Sequence, residues 1–260
     1  MITVKHSGHI GDVIYSLAAV KAIAANRKDK VRYYLSEGVP IPTAYDHGYP
    51  KPTLTKELCE FVRPLLEAQP YIESCLTRIF TPRLDHAVNF DLDLFRRLPI
   101  NFVFGHLPLH YMHLVGEFWD YAFPWLTVGP SDIDPKYRDT VVLGRSPRNI
   151  DQTIDYSVLN NVKNDILFFG TWDEYSEMKR VVKRIVHAKL SDAYQAACIL
   201  ASCKIFIGNS SFHFAVAEGL KTPRLFEMNL NNQSLMPCNG VTYFTTTEQL
   251  ASGLQNCVTI

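Results

Sequence analysis

Two loops and a pair of arginines in this sequence have residue types and spacings that could do chemistry. Asp12 closes the segment His6-Ser7-Gly8-His9-Ile10-Gly11-Asp12. An aspartate there can take a proton from a hydroxyl, or it can cap the helix that follows. Gly8 and Gly11 let the backbone turn sharply and bring its N–H groups close to a ligand. His6 and His9 flank that turn and serve either substrate contact or core packing. The second loop is Gly208-Asn209-Ser210-Ser211-Phe212-His213. Its small hydrogen-bonding side chains meet the free N–H groups of a helix start, which suits a diphosphate and equally suits ordinary capping. Arg145 and Arg148 lie in Gly144-Arg145-Ser146-Pro147-Arg148 and can clamp phosphates or sit solvated on the surface. Glu218, further along the second helix, can accept from a ribose hydroxyl or face water.

Three weaker signals stand beside these. Asp91-Leu92-Asp93 is a D-x-D, a spacing that can hold a divalent cation but arises often by chance. His106, His110 and His113 precede Glu117 at near-helical spacing, and Pro108 is expected to interrupt the helix that would align them as zinc ligands. They are better read as lining a cleft. Lys179, Arg180, Lys183 and Arg184 read as one basic helix stripe, of interest only toward a polyanion. Neither a dinucleotide fingerprint nor a phosphate-binding P-loop is present, and no metal site is expected.

Positioning these groups requires alternating strands and helices. Ile2–His6 reads as a strand, Asp12–Ile23 as a helix with Val13, Leu17, Val20 and Ile23 at helical spacing, and Val31–Leu35 as a second strand. Residues 38–53 read as loop, Lys56–Ala68 as a helix, and 85–130 as irregular structure with one or two short helices. Val128–Pro135 is the candidate linker. Strands are then expected at Thr140–Gly144, Asp165–Gly170, Lys204–Gly208 and Thr222–Glu227. The helices between and after them are expected at Glu174–Lys183, Asp192–Ser202, from Ser211 through Gly219, and at Thr247–Leu254. The class is therefore α/β with parallel sheets, in two units, 1–135 and 136–260.

The chain has 260 residues, 26 basic and 26 acidic, with 47% hydrophobic residues. That composition supports a real core and excludes disordered and collagen-like classes. Zero formal net charge argues against holding nucleic acid or anionic membrane by charge alone. No apolar run is long enough to span a bilayer, and the first residues do not read as a signal peptide. Six cysteines without a C-x-x-C pair fit reduced thiols, so a cytoplasmic location is expected.

The segments Ile10-Gly11-Asp12-Val13-Ile14 and Ser16-Leu17-Ala18-Ala19-Val20 resemble the opening loop and helix of glycosyltransferase family 9, the ADP-heptose:lipopolysaccharide heptosyltransferases. The stretch from Leu190-Ser191-Asp192 through Ile207-Gly208-Asn209-Ser210-Ser211, His213-Phe214-Ala215 and Gly219-Leu220-Lys221-Thr222-Pro223 resembles that family's donor-binding region. Asn209 and Ser211 replace the family's usual aspartate and glycine, one residue is missing before His213, and the chain is short for the family. The resemblance implies two Rossmann-like domains in a GT-B arrangement, with acceptor on the amino-terminal side and nucleotide-sugar donor on the other. It implies Asp12 as the base and Ser210, Ser211 and His213 toward the donor diphosphate, and Gly208, Asn209, Glu218, Arg145 and Arg148 are the further candidates on that donor side. His6, His9 and Gly11 fall on the acceptor side. The implied reaction is metal- and cofactor-independent, inverting transfer from a nucleoside-diphosphate sugar to a hydroxyl of a saccharide or modified nucleobase. Epimerase or hydrolase chemistry on the same fold, and a non-catalytic nucleotide-sugar-binding module, are the alternatives.

Overall fold

Short apolar runs alternating with helical ones give a chain of parallel strands and crossover helices. A computed structural model describes residues 1–39, 53–79, 81, 88–99, 105–147, 150–230 and 235–258. In the amino-terminal half the elements are β1 (Ile2–His6), α1 (Ile10–Arg27), β2 (Val31–Glu37), α2 (Lys56–Glu67), β3 (Ile72–Ile79), β4 (Phe90–Asp91) and α3 (Leu107–Val115). In the carboxyl-terminal half they are β5 (Val141–Gly144), β6 (Ile166–Phe168), α4 (Trp172–Val181), β7 (Ile185–His187), α5 (Ala193–Ser202) and β8 (Ile205–Gly208). These are followed by α6 (Phe212–Leu220), β9 (Arg224–Glu227), β10 (Val241–Phe244) and α7 (Thr247–Cys257).

The strands form two sheets, ordered β3-β2-β1-β4 and β10-β9-β8-β5-β6-β7, with every pairing parallel. In each sheet the strand order reverses beside the first strand. The reversal opens a crevice at the carboxyl ends of β1 and β4, and a second at the carboxyl ends of β5 and β8. Ligands of open α/β sheets bind at such places. The first loop leaves β1 and the second leaves β8, so both candidate loops stand at a reversal.

Helix α1 explains how the two sheets join. Val13 to Val20 are buried without a break, together with Ala22, Ile23 and Ala24, so this helix is enclosed on nearly all sides rather than amphipathic. It packs on α3 and on α6, while α2 packs on α5. One hydrophobic cluster consequently runs through both halves, and a second lies on the far side of the larger sheet around Leu143, Phe168, Ile207 and Leu250. No helix among the described residues is long and apolar enough to cross a membrane.

Several sequence expectations shift. Pro108 lies in the first turn of α3, where its missing N–H costs nothing, so it opens that helix instead of interrupting it. A capping box between Thr171 and Glu174 starts α4 at Trp172 and Val181 ends it, which puts Lys183 and Arg184 beyond the helix. The basic stripe is thus broken, and its heads cap carbonyls. Lys179 Nζ donates to Lys183 O and Ile185 O, and Arg184 to Val162 O and Lys163 O. The expected linker is two short 3-10 turns laid on α5, where Tyr194 Oη donates to Asp132 at 2.6 Å and Asp134 N to Ser202 Oγ at 2.9 Å. Most of the expected loop 38–53 lies outside the described residues.

Candidate active site

At the amino-terminal reversal, His6 ends β1 fully buried. Its Nδ1 accepts from Gly8 N at 2.9 Å, which leaves Nε2 to donate to Tyr111 Oη at 2.8 Å. Burial pushes its pKa below the ordinary value despite Asp93 nearby, so the ring is neutral. His6 therefore shapes the loop from within. A Cβ on Gly8 would sit 2.7 Å from His6 Cε1, so the ring's position requires a glycine there. Of the D-x-D carboxylates, Asp93 faces this loop and Asp91 faces Lys5 on β1. Asp93 accepts from Ser7 N at 2.9 Å and Ser7 Oγ at 2.6 Å, and buried Lys5 Nζ stands 3.1 Å from Asp91 and 3.6 Å from Asp93. A lysine ammonium already occupies the place between them, and no cluster of three metal-ligating side chains occurs among the described residues.

Asp12 is the third residue of α1. The cap position is His9, whose side chain makes no capping bond, so the capping expectation for Asp12 is corrected. The Asp12 carboxylate instead pairs with Arg96, from the 3-10 turn at Leu92–Arg97. Burial alone would weaken Arg96's hold on its proton, but Asp12, Tyr111 and Asp93 more than offset it and raise its pKa. Both groups keep part of their surface open, 14% for the Asp12 side chain and 31% for that of Arg96.

At the other reversal, Gly144 and Gly208 are paired in register at the ends of β5 and β8. A Cβ on Gly208 would lie 1.9 Å from Gly144 O, a distance no side chain tolerates. Asn209 is wholly buried, and its amide accepts from Ser146 N at 2.9 Å and donates to Ser146 O at 2.7 Å. It ties the two loops together from beneath. Ser211 caps α6, accepting from Phe214 N at 3.2 Å, and Ser210 is half-buried beside it. His213, in the first turn of α6, has its ring 5.2 Å from Phe169 and 5.1 Å from Phe212, and burial lowers its pKa to about 4. A neutral imidazole at a helix N-terminus fits the positive end of the helix dipole.

Arg145 and Glu218 are turned inward, contrary to expectation. Arg145 grips Glu227 with two bonds, at 2.7 and 2.9 Å, while Tyr156 Oη and Asp151 N also donate to that carboxylate. The guanidinium lies over the Tyr156 ring. Arg145 thus anchors the loop that Asn209 holds. Glu218 has no exposed surface. It accepts from Lys221 at 2.6 Å and pairs with Arg224, and His106 Nε2 approaches to 3.5 Å from the other half. Burial would raise its pKa, yet His106, Arg224 and Lys221 together lower it. Enclosed in that cluster, Glu218 is not presented to a ribose. Arg148 lies outside the described residues.

Sequence reasoning missed Arg96, Tyr111, Glu227 and Arg224 as members of these networks, and had Asp93 only as half of a D-x-D. Among the missed four, Glu227 alone carried a signal, a carboxylate ending an apolar strand.

The two loops meet. A Cβ on Gly11 would lie 3.7 Å from Phe212 Cα, and the Phe212 ring rests 5.8 Å from that of Phe61 on α2. Asp12 follows Gly11, while Ser211 and His213 bracket Phe212. The start of α1, with its carboxylate, therefore abuts the start of α6, with its hydroxyls and N–H groups.

No protein-family profile matches the sequence, and no curated protein matches it. Solved structures do. Escherichia coli ADP-heptose lps heptosyltransferase II superposes with a TM-score of 0.67 at 12% identity, over 98% of each chain. The E. coli heptosyltransferase WaaC with ADP-2-deoxy-2-fluoro heptose gives 0.55 at 11% identity, again over 98% of each. A glycosyl transferase family 9 protein from Veillonella parvula gives 0.58 at 12%, over 99% of this chain and 90% of that one. The chain has the fold shared by these heptosyltransferases and this family 9 glycosyl transferase, in two parallel α/β sheets whose loops meet at the candidate site.

Proposed function

We propose that the protein is a glycosyltransferase that moves a sugar from a nucleoside-diphosphate donor to a hydroxyl acceptor. The observation that carries this reading is the apposition of Gly11 and Phe212, which sets the helix start that bears Asp12 beside a loop suited to a diphosphate. The heptosyltransferase solved with an ADP-sugar, over the full length of this fold, supports a nucleotide-linked donor.

In this mechanism the acceptor hydroxyl attacks the anomeric carbon while Asp12 takes its proton. The bond from that carbon to the diphosphate oxygen breaks on the opposite face, and the nucleoside diphosphate leaves with the electron pair. The configuration inverts. Negative charge developing on the leaving group meets the N–H groups of α6 and the hydroxyls of Ser210 and Ser211, so no metal is required. Arg96 orients the Asp12 carboxylate, since a guanidinium stays charged throughout. Arg145 and Asn209 act at one remove, by holding the backbone of the neighbouring loop. The acceptor is a saccharide or a modified nucleobase, reached from the side of His9. Residues 1–135 and 136–260 serve as acceptor and donor units.

A thermal-shift panel of nucleoside diphosphates and their sugars tests the donor reading. Stabilisation by at least one of them is expected, and no shift with any would refute it. Transfer that persists undiminished in excess chelator is the expected outcome for a metal-free reaction.

A further inference from the structure

We propose that the indole of Trp172 is the stacking platform for the heterocyclic base of the nucleoside diphosphate, a role that rests on the donor reading above. Trp172 is 64% exposed, an unusual position for so large an apolar side chain. It is nevertheless held firmly. The capping box of Thr171 and Glu174 fixes the first turn of α4, where Trp172 is the first residue. Tyr175, one turn on, packs 5.3 Å from its ring, and His187 at the end of β7 packs edge-on at 5.6 Å. Tyr175 and His187 are themselves stacked at 5.0 Å and 21°. His187 Nε2 donates to Gly170 O at 2.9 Å, which ties β7 to the loop carrying Trp172. The indole is backed by aromatic rings and its outer part is left to solvent.

Its location connects it to the diphosphate loop. Phe169, three residues before Trp172, packs against His213 and donates its N–H to Leu143 O at 2.8 Å. Trp172 follows β6, and the Gly208 loop follows β8, with β5 between them. The strands that carry these two loops are two interstrand spacings apart, about 10 Å, on the scale of an extended nucleoside diphosphate from its base to its terminal phosphate. Phe118 and Phe123 are similarly exposed but lie on the connection after α3, away from this sheet edge. A flat, preorganised ring open on one side on the loop after β6, and a polar cradle on the loop after β8, match the two ends of such a molecule. Bases stack on aromatic side chains through their π-faces, whichever base it is.

The test is calorimetric titration of the intact chain with ADP and with UDP, comparing wild type with Trp172→Ala, Trp172→Leu and Trp172→Phe. Loss of the platform should weaken binding about 5- to 150-fold in the alanine variant. The leucine variant, equally apolar but without a π-face, should remain weak, and the phenylalanine variant should recover most of the affinity. Wild-type affinity in Trp172→Ala overturns the platform while the donor reading stands. Equal affinity of the leucine and phenylalanine variants overturns stacking as the cause. No binding of either nucleotide by wild type, with no shift across the wider nucleotide panel, overturns both readings together.

Discussion

At the β1/β4 reversal, charge faces outward. Asp12, Arg96, Asp91 and Asp93 all keep side-chain surface, and only Lys5 stands behind them. At the β5/β8 reversal, Glu227 has no side-chain surface exposed and Arg145, no more open than Asp12, is locked onto it by two bonds, while Glu218 and Arg224 are buried at the far end of α6. What the second loop keeps toward its crevice is backbone N–H, serine hydroxyls and a half-buried neutral histidine. The two crevices of one fold thus use charge differently. One presents a group that can accept a proton, and the other spends its ions on fixing the backbone that presents dipoles. A fixed dipole needs no rearrangement when charge develops on a leaving group, whereas a base must be an ionised side chain with surface to offer.

The sharpest way to break this contrast is Asp12→Asn, which keeps shape and removes the proton acceptor. Transfer should fall by roughly 10²- to 10⁴-fold, while nucleoside-diphosphate affinity by titration stays near wild type; an equal loss of both would erase the division between the crevices. Next comes Glu218→Gln, which leaves Arg224 and Lys221 buried without a counter-charge. A loss of about 3–5 kcal/mol in urea unfolding is expected, and a loss under 1 kcal/mol would mean that the cluster does not hold α6. Gly208→Ala forces β8 off Gly144 O and should cost about 1–3 kcal/mol, together with nucleotide binding but not the Asp12–Arg96 pair.

The smallest effect concerns pH. Burial pushes His213 down to about 4 in the folded chain, from an ordinary 6.5. The unfolded chain therefore binds the extra proton first as acid is added, and this contribution to stability is whole above pH 6.5 and drains away toward pH 4. His6 and His106, also depressed by burial, add to the same limb. In His213→Gln the decline over that window should be shallower in thermal melts at stepped pH; an unchanged slope would place the proton uptake elsewhere.

Legibility in the sequence followed the range of the interactions. Both loops and the strands feeding them were readable, because glycine, cap and apolar run lie within a dozen residues of one another. The strands β3, β4, β7 and β10 were missed, all four at sheet edges where burial imposes little pattern. The partners of the loops were missed for a different reason. Arg96 is 84 residues from Asp12, and Glu227 is 82 from Arg145. Nothing local marks such pairs, and the inward turn of Arg145 and Glu218 follows from them. Asp12 illustrates the same limit: its spacing fits a cap, yet the helix begins two residues earlier and frees it for Arg96.

Helix α1 has a consequence for how the molecule comes apart. It belongs to one sheet by connection and to both by packing, so neither half retains a complete interior when the other melts. Calorimetry should record a single unfolding transition rather than two, with calorimetric and van't Hoff enthalpies in agreement. The slowest-exchanging amides should include those of Val13–Val20, because exposing them requires global opening. Parting the halves widely would uncover the face of this helix that packs on α6.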